Sequence, residues 1–250
     1  MTETGKVMRY RLHLVTGLAA AAAALLAGCG STDVVATFAA SSFSAIAAAS
    51  KDRVSYDAED GAWRLASPAG DVVALSADFS RKPADASADP LMKAPDVELE
   101  FDLAPLAAAG LDPRRLPMQM PGAKVAYAVE DGIFMVHAEL GGESFPPEAA
   151  KSIEAAFAAT LKTHRASIGY HEKLDHYGIK LGGGNMFEWA KDPAKNDKDI
   201  VFVLDPAPLL AAGLDPPRLA GGWVFAKVES KDAGGKTVIE DKLLKPFDLR

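Results

Sequence analysis

Apolar and polar residues alternate cleanly over Val97-Glu98-Leu99-Glu100-Phe101, which predicts a strand with one buried and one wet face. Ile200-Val201-Phe202-Val203-Leu204 is apolar throughout and predicts a strand covered on both faces. Shorter strand signals flank turn residues. Val54 to Asp57 and Trp63 to Leu65 bracket Asp60-Gly61, and Lys124 to Val129 turns at Asp131-Gly132 into Ile133 to Leu140. Ile168 to Tyr170 precedes Tyr177 to Ile179, Val72 to Phe79 has a counterpart beginning near Met186, and Trp223 to Val228 turns at Gly234-Gly235 into Thr237 to Glu240. Two segments carry a helical spacing instead. Ile153, Phe157 and Leu161 recur every four residues after Pro146-Pro147, and Val35, Phe38, Ala39, Phe43 and Ile46 form a broader arc with Thr32 or Asp33 as N-cap.

These elements occur twice in the same order. Ala104 to Leu116 recurs as Ala207 to Leu219, with eleven of thirteen positions identical at an offset of 103. The offset extends to Asp102 with Asp205 and to Ala123-Lys124-Val125 with Ala226-Lys227-Val228. Upstream it becomes 114, matching Phe43 with Phe157, Tyr56 with Tyr170 and Trp63 with Tyr177, and residues 80–95 form an inserted loop of the first copy. Each copy therefore reads as a helix, about four strands, a short helical turn and a final hairpin. The expectation is an α+β fold of two tandem repeats, residues 33–142 and 143–250, with helices packed on antiparallel sheet.

Composition adds limits. The chain has 250 residues, 49% of them hydrophobic and 24% charged, which suits a folded protein. A formal net charge of −7 argues against a nucleic-acid partner. A single cysteine excludes an internal disulfide and any Cys-rich zinc site.

That cysteine lies at the end of a signal-like segment. Lys6, Arg9 and Arg11 form a positive start, and Leu14 to Ala27 is uncharged but shorter than the roughly 20 residues a membrane-spanning helix needs. Leu26-Ala27-Gly28-Cys29 resembles the lipobox of bacterial lipoproteins. The resemblance implies cleavage after residue 28, lipidation of Cys29, and anchorage of the mature chain through a short tether at residues 29–32. Two or three acyl chains, at about 0.8 kcal/mol per buried CH₂, anchor a folded domain stably. Gly30 stands where an Asp commonly retains Gram-negative lipoproteins in the inner membrane, so the resemblance implies an outer-membrane protein facing the periplasm if the host is Gram-negative.

Candidate chemistry is sparse. His171-Glu172-Lys173-Leu174-Asp175-His176 offers possible metal donors, but histidines five apart on one strand face opposite sides, so only a hairpin would unite His171 and His176. Gly182-Gly183-Gly184-Asn185 lacks the Lys-Ser or Lys-Thr of a phosphate loop and reads as a hairpin turn. Asp112/Arg115 and Asp215/Arg218 would, on a functional reading, line a symmetric groove, and on a structural one the motif is turn chemistry: Pro105 in a first turn, Gly110 after it, Asp112 as a second cap. Trp63, Trp189 and Trp223 read as core. His137 and His164 show no acid or serine at a motif spacing in the sequence, and no catalytic residue is nominated. No cofactor is expected. The expected function is a non-catalytic binding or interaction scaffold of the bacterial envelope. A carrier of a lipid or other hydrophobic ligand is the alternative, and a metal-dependent hydrolase using His171 and His176 a second.

Overall fold

The computed structural model describes residues 46–47, 50–57, 59, 62–76, 97–117, 125–138, 155, 158–159, 161–162, 164–171, 176–190, 200–232 and 234–248. Among the described residues twelve strands fall in two sheets. The first contains β1 (Val54–Asp57), β2 (Ala62–Ala66), β3 (Val72–Ser76), β4 (Val97–Asp102), β5 (Val125–Glu130) and β6 (Ile133–Ala138), in the order β1-β2-β3-β4-β6-β5. The second contains β7 (Ile168–His171), β8 (His176–Gly182), β9 (Asn185–Ala190), β10 (Ile200–Leu204), β11 (Val224–Lys231) and β12 (Thr237–Phe247), in the matching order β7-β8-β9-β10-β12-β11. Every pairing is antiparallel. Between β4 and β5 lies α1 (Ala104–Ala108), and between β10 and β11 lies α2 (Ala207–Ala211).

The architecture is mostly β, which corrects the expected α+β fold with helices packed on sheet. The two complete helices among the described residues have five residues each. Of the two opening segments, Ile46–Ala47, Ala155, Ala158–Ala159 and Leu161–Lys162 are helical, and the rest, with Thr32, Asp33, Phe43, Pro146 and Pro147, lies outside the described residues. The physical reason is that the apolar faces of the sheets meet one another. Phe101 of β4 makes edge contacts with Phe202 of β10 and with Trp223, at centroid separations of 5.1 and 5.0 Å. Phe202 also meets Phe187 and Phe247, both at 5.5 Å, so a single core spans both repeats. Alternation holds in β4, where Val97, Leu99 and Phe101 are buried. In β10, Phe202 and Leu204 enter the core and Val203, on the other face, is buried as well.

The duplicated motif is what joins the repeats. Asp102 and Asp205 accept hydrogen bonds from the first backbone N–H groups of α1 and α2, at 2.9 and 3.0 Å. Gly110 and Gly213 then reverse the chain at φ +95° and +102°. The N–H of Asp112 donates to the carbonyl of Ala212 at 2.9 Å, and that of Asp215 donates to Ala109 at 2.7 Å. Arg115 Nη2 donates to the carbonyl of Ala211 at 2.5 Å, and Arg218 Nη2 to that of Ala108 at 2.6 Å. Each guanidinium thus satisfies a carbonyl at the end of the opposite repeat's helix, where the backbone leaves acceptors open and favours positive charge.

A Cβ on Gly110 would come within 2.9 Å of the Gly213 carbonyl oxygen, and the converse holds for Gly213. Gly110→Ala is therefore expected to destabilise the chain by about 2 kcal/mol, from the left-handed backbone plus the clash. Chemical denaturation checks this, and an unchanged midpoint would show that the repeats are not held together here.

Candidate functional site

Two copies of one fold in one chain provide an internal comparison. Features present in both are what the fold requires, and features present in one are dispensable to it. The Asp112/Arg115 and Asp215/Arg218 motif belongs to the first kind. Asp112 pairs with Arg114 at 2.9 Å, and that hydrogen bond holds its carboxyl below the usual range. Arg115 and Arg218 cross to the other repeat, so the motif closes a junction and does not line a groove.

The other sequence candidates are also placed. His171 and His176 are directly opposite across the β7–β8 pairing, so the hairpin does bring their backbones together. Glu172 and Asp175, in the connection, lie outside the described residues, as do Leu26, Ala27, Gly28 and Cys29. Among the described residues no group of three or more His, Cys, Asp or Glu side chains gathers to hold a metal. Gly182, Gly183 and Gly184 all have positive φ; Gly182 ends β8 and Gly183-Gly184 form the β8–β9 turn. Asn185 accepts from the Asp205 N–H at 2.6 Å and donates to the Tyr127 hydroxyl at 3.4 Å, another link between repeats. Trp63, Trp189 and Trp223 are buried in the core.

One polar network is confined to the first repeat, on the face of its sheet turned away from the core. Glu98 of β4 lies between Ala74 of β3 and His137 of β6, and Ala74 faces Arg64 of β2. His137 Nδ1 sits 2.9 Å from Glu98 Oε2, Arg64 Nη1 donates to Glu100 Oε1 at 2.7 Å, and Arg64 Nε lies 3.5 Å from Asp57. The His137–Glu98 contact is close but poorly aligned for a hydrogen bond, and the buried Nε2 of His137 has no hydrogen-bond partner among the described residues. Burial alone would raise the Glu98 carboxyl. The contact and charge of His137, aided by Glu100 and Arg64, outweigh it and leave Glu98 below its ordinary range. Glu100 is raised, by burial first and by its hydrogen bond with Glu98 second, against the pull of Arg64. The neighbouring carboxyls are thus driven apart in acidity.

The register identifies the corresponding positions in the second sheet. Val201 lies between Glu188 and Pro246, and Glu188 faces Gly178. Arg64, Glu98 and His137 are thus replaced by Gly178, Val201 and Pro246, and Ala74 by Glu188. The same strand order forms without the network, so the fold does not require it. Glu188 in turn is a buried carboxyl, only 1% exposed, whose Oε2 has no hydrogen-bond partner among the described residues. Burial pushes it up to about 7.

Sequence reasoning missed both features. Alternation in Val97 to Phe101 already put Glu98 and Glu100 on one face, but their meeting with Arg64 and His137 depends on β4 pairing between β3 and β6. Comparison with known protein families, curated proteins and solved structures finds no match for this chain.

Proposed function

We propose that this chain is a membrane-anchored bacterial envelope lipoprotein that acts as a non-catalytic binding or interaction scaffold. The observation that carries the scaffold reading is the junction: the motif kept in both copies welds two sheets into one body. A two-repeat body joined in this way holds both sheets on one anchor. The polar network of the first repeat makes the two sheets chemically unlike on the faces turned away from the shared core. The anchor rests on Leu26-Ala27-Gly28-Cys29, and the absence of Asp at Gly30 supports the outer membrane in a Gram-negative host. Carriage of a hydrophobic ligand has less support. Ile200–Leu204, the strand that would line a cavity, packs Phe202 against Phe101, Phe187 and Phe247 instead.

Two measurements test this. Labelled palmitate is expected to enter the full chain, and Cys29→Ser is expected to abolish labelling and release the protein from the membrane. Labelling that survives Cys29→Ser would refute the anchor. Native mass spectrometry of the extracted protein is expected to show no small molecule at fixed stoichiometry, with protein partners appearing on crosslinking in the envelope. A lipid retained at fixed stoichiometry would replace the scaffold reading with the carrier.

A further inference from the structure

The joint between the repeats is symmetric in its backbone contacts and asymmetric in its buried side chains. The Asp112 N–H donates to Ala212 and the Asp215 N–H to Ala109, while Arg115 reaches Ala211 and Arg218 reaches Ala108. At the repeat offset of 103 these are the same donors and acceptors used twice. Each repeat therefore carries both halves of one contact. Such a surface is self-complementary, as in a twofold dimer, and its backbone alone would accept a like repeat as readily as an unlike one.

Two side-chain contacts across the joint break that symmetry. The register matches Asp71, three residues before Ala74, with Asn185, three before Glu188. It matches Val136, opposite Leu99, with Lys245, opposite Phe202. Trp223, one residue before Val224, takes the place of Tyr127, one before Ala128. Asn185 of the second repeat meets Tyr127 of the first at 3.4 Å. The corresponding Asp71 of the first repeat meets Lys245 of the second at 3.0 Å. Unlike repeats thus leave neither buried charge alone. Two first repeats would set Asp71 against Tyr127 and Val136, a buried carboxylate without a cation. Two second repeats would set Lys245 against Asn185, a buried ammonium without a carboxylate. Either arrangement buries a charge with no counter-charge, which is costly.

We propose that Asp71 and Lys245 choose the partner at this joint: they admit the unlike repeat, from the same chain or from a second copy, and reject the like one. In the unaltered chain the unlike repeat is tethered through residues 139–154 and is met first at high effective concentration. The rejection is carried by an uncompensated charge, a common device of specific interfaces. It depends neither on the anchor nor on what the scaffold binds.

The test uses two full chains with opposite reversals, Asp71→Lys and Lys245→Asp, differently tagged, expressed alone or together, and extracted in detergent. Each alone sets like charges across the joint and is expected to unfold in less urea than the unaltered chain. Expressed together, they are expected to give a complex of one copy of each in native mass spectrometry. There each first repeat takes the other chain's second repeat, and both ion pairs return. The connecting segment, on the order of 50 Å when extended, allows the exchange. Two unaltered chains with the same tags should stay separate, because each satisfies its own pair. Both reversals in one chain should also stay separate and recover part of the lost urea midpoint. Absence of a mixed complex from the two reversed chains overturns the proposal. So does a mixed complex formed equally by unaltered chains, or a doubly reversed chain that recovers nothing.

Discussion

Lys245→Met is expected to destabilise the chain by about 3–5 kcal/mol, the usual loss when one partner of a buried ion pair is removed. Lys245 Nζ lies 3.0 Å from Asp71 Oδ2, and the two side chains are 11% and 5% exposed. The ammonium also donates to the Gly221 carbonyl at 3.2 Å. Asp71 follows the β2–β3 turn of the first repeat and Lys245 belongs to β12 of the second, so the variant leaves an unpaired carboxylate between repeats. Changing Asp71 to Ala as well should recover much of the loss, because no charge then remains buried. Lys227→Ala breaks a pair of similar length, Lys227–Asp241 at 2.8 Å, but those side chains are 73% and 41% exposed and the effect should stay below about 1 kcal/mol. Urea unfolding of the three variants would decide the matter. Equal losses for Lys245→Met and Lys227→Ala would contradict the role assigned to the buried pair.

The second large effect is a pH dependence. Glu188 ionises near 7 in the folded chain and near 4.5 when unfolded, because burial disfavours its charge. A raised folded value means that the folded state binds the proton more tightly. The contribution is fully present below about pH 4.5 and is lost as pH rises through 7. Its size is about 3 kcal/mol, from roughly 1.4 kcal/mol per pH unit. Glu188→Gln cannot ionise, so it should fall off less than the unaltered chain between pH 5 and 8 and exceed it in stability at pH 8. The difference between the two unfolding curves isolates this group from Glu98 and Glu100, which titrate in both. Parallel curves would show that Glu188 is not desolvated in the folded state.

Several elements were legible before any fold was known. Alternation marked β4, an unbroken apolar run marked β10, and Asp131-Gly132 marked the β5–β6 turn, where both residues have positive φ. Proline and glycine bounded α1 and α2, with Pro105 and Pro208 in the first turn and Gly110 and Gly213 after the end. These succeeded because each is decided within a few residues, by side-chain periodicity or by the backbone angles of Gly and Pro. The α+β expectation failed on the same local evidence. A four-residue apolar spacing says that a segment can coil, but not what closes a sheet, and here Phe101 and Phe202 close the sheets against each other.

The duplication, the short helices and most strand positions were written in the chain as repeated residues and local periodicity. Pairing partners were not, because a strand's alternation states which face is buried and leaves open which strand lies beside it. Only the tertiary structure placed His137 against Glu98, buried Glu188 opposite Gly178, and set Lys245 on Asp71. It also turned the repeated Asp–Pro–Arg motif from a groove candidate into the contact that holds the halves together. Contacts between residues about a hundred positions apart depend on how two units dock, and docking is decided by the shape of surfaces that exist only after each unit has folded.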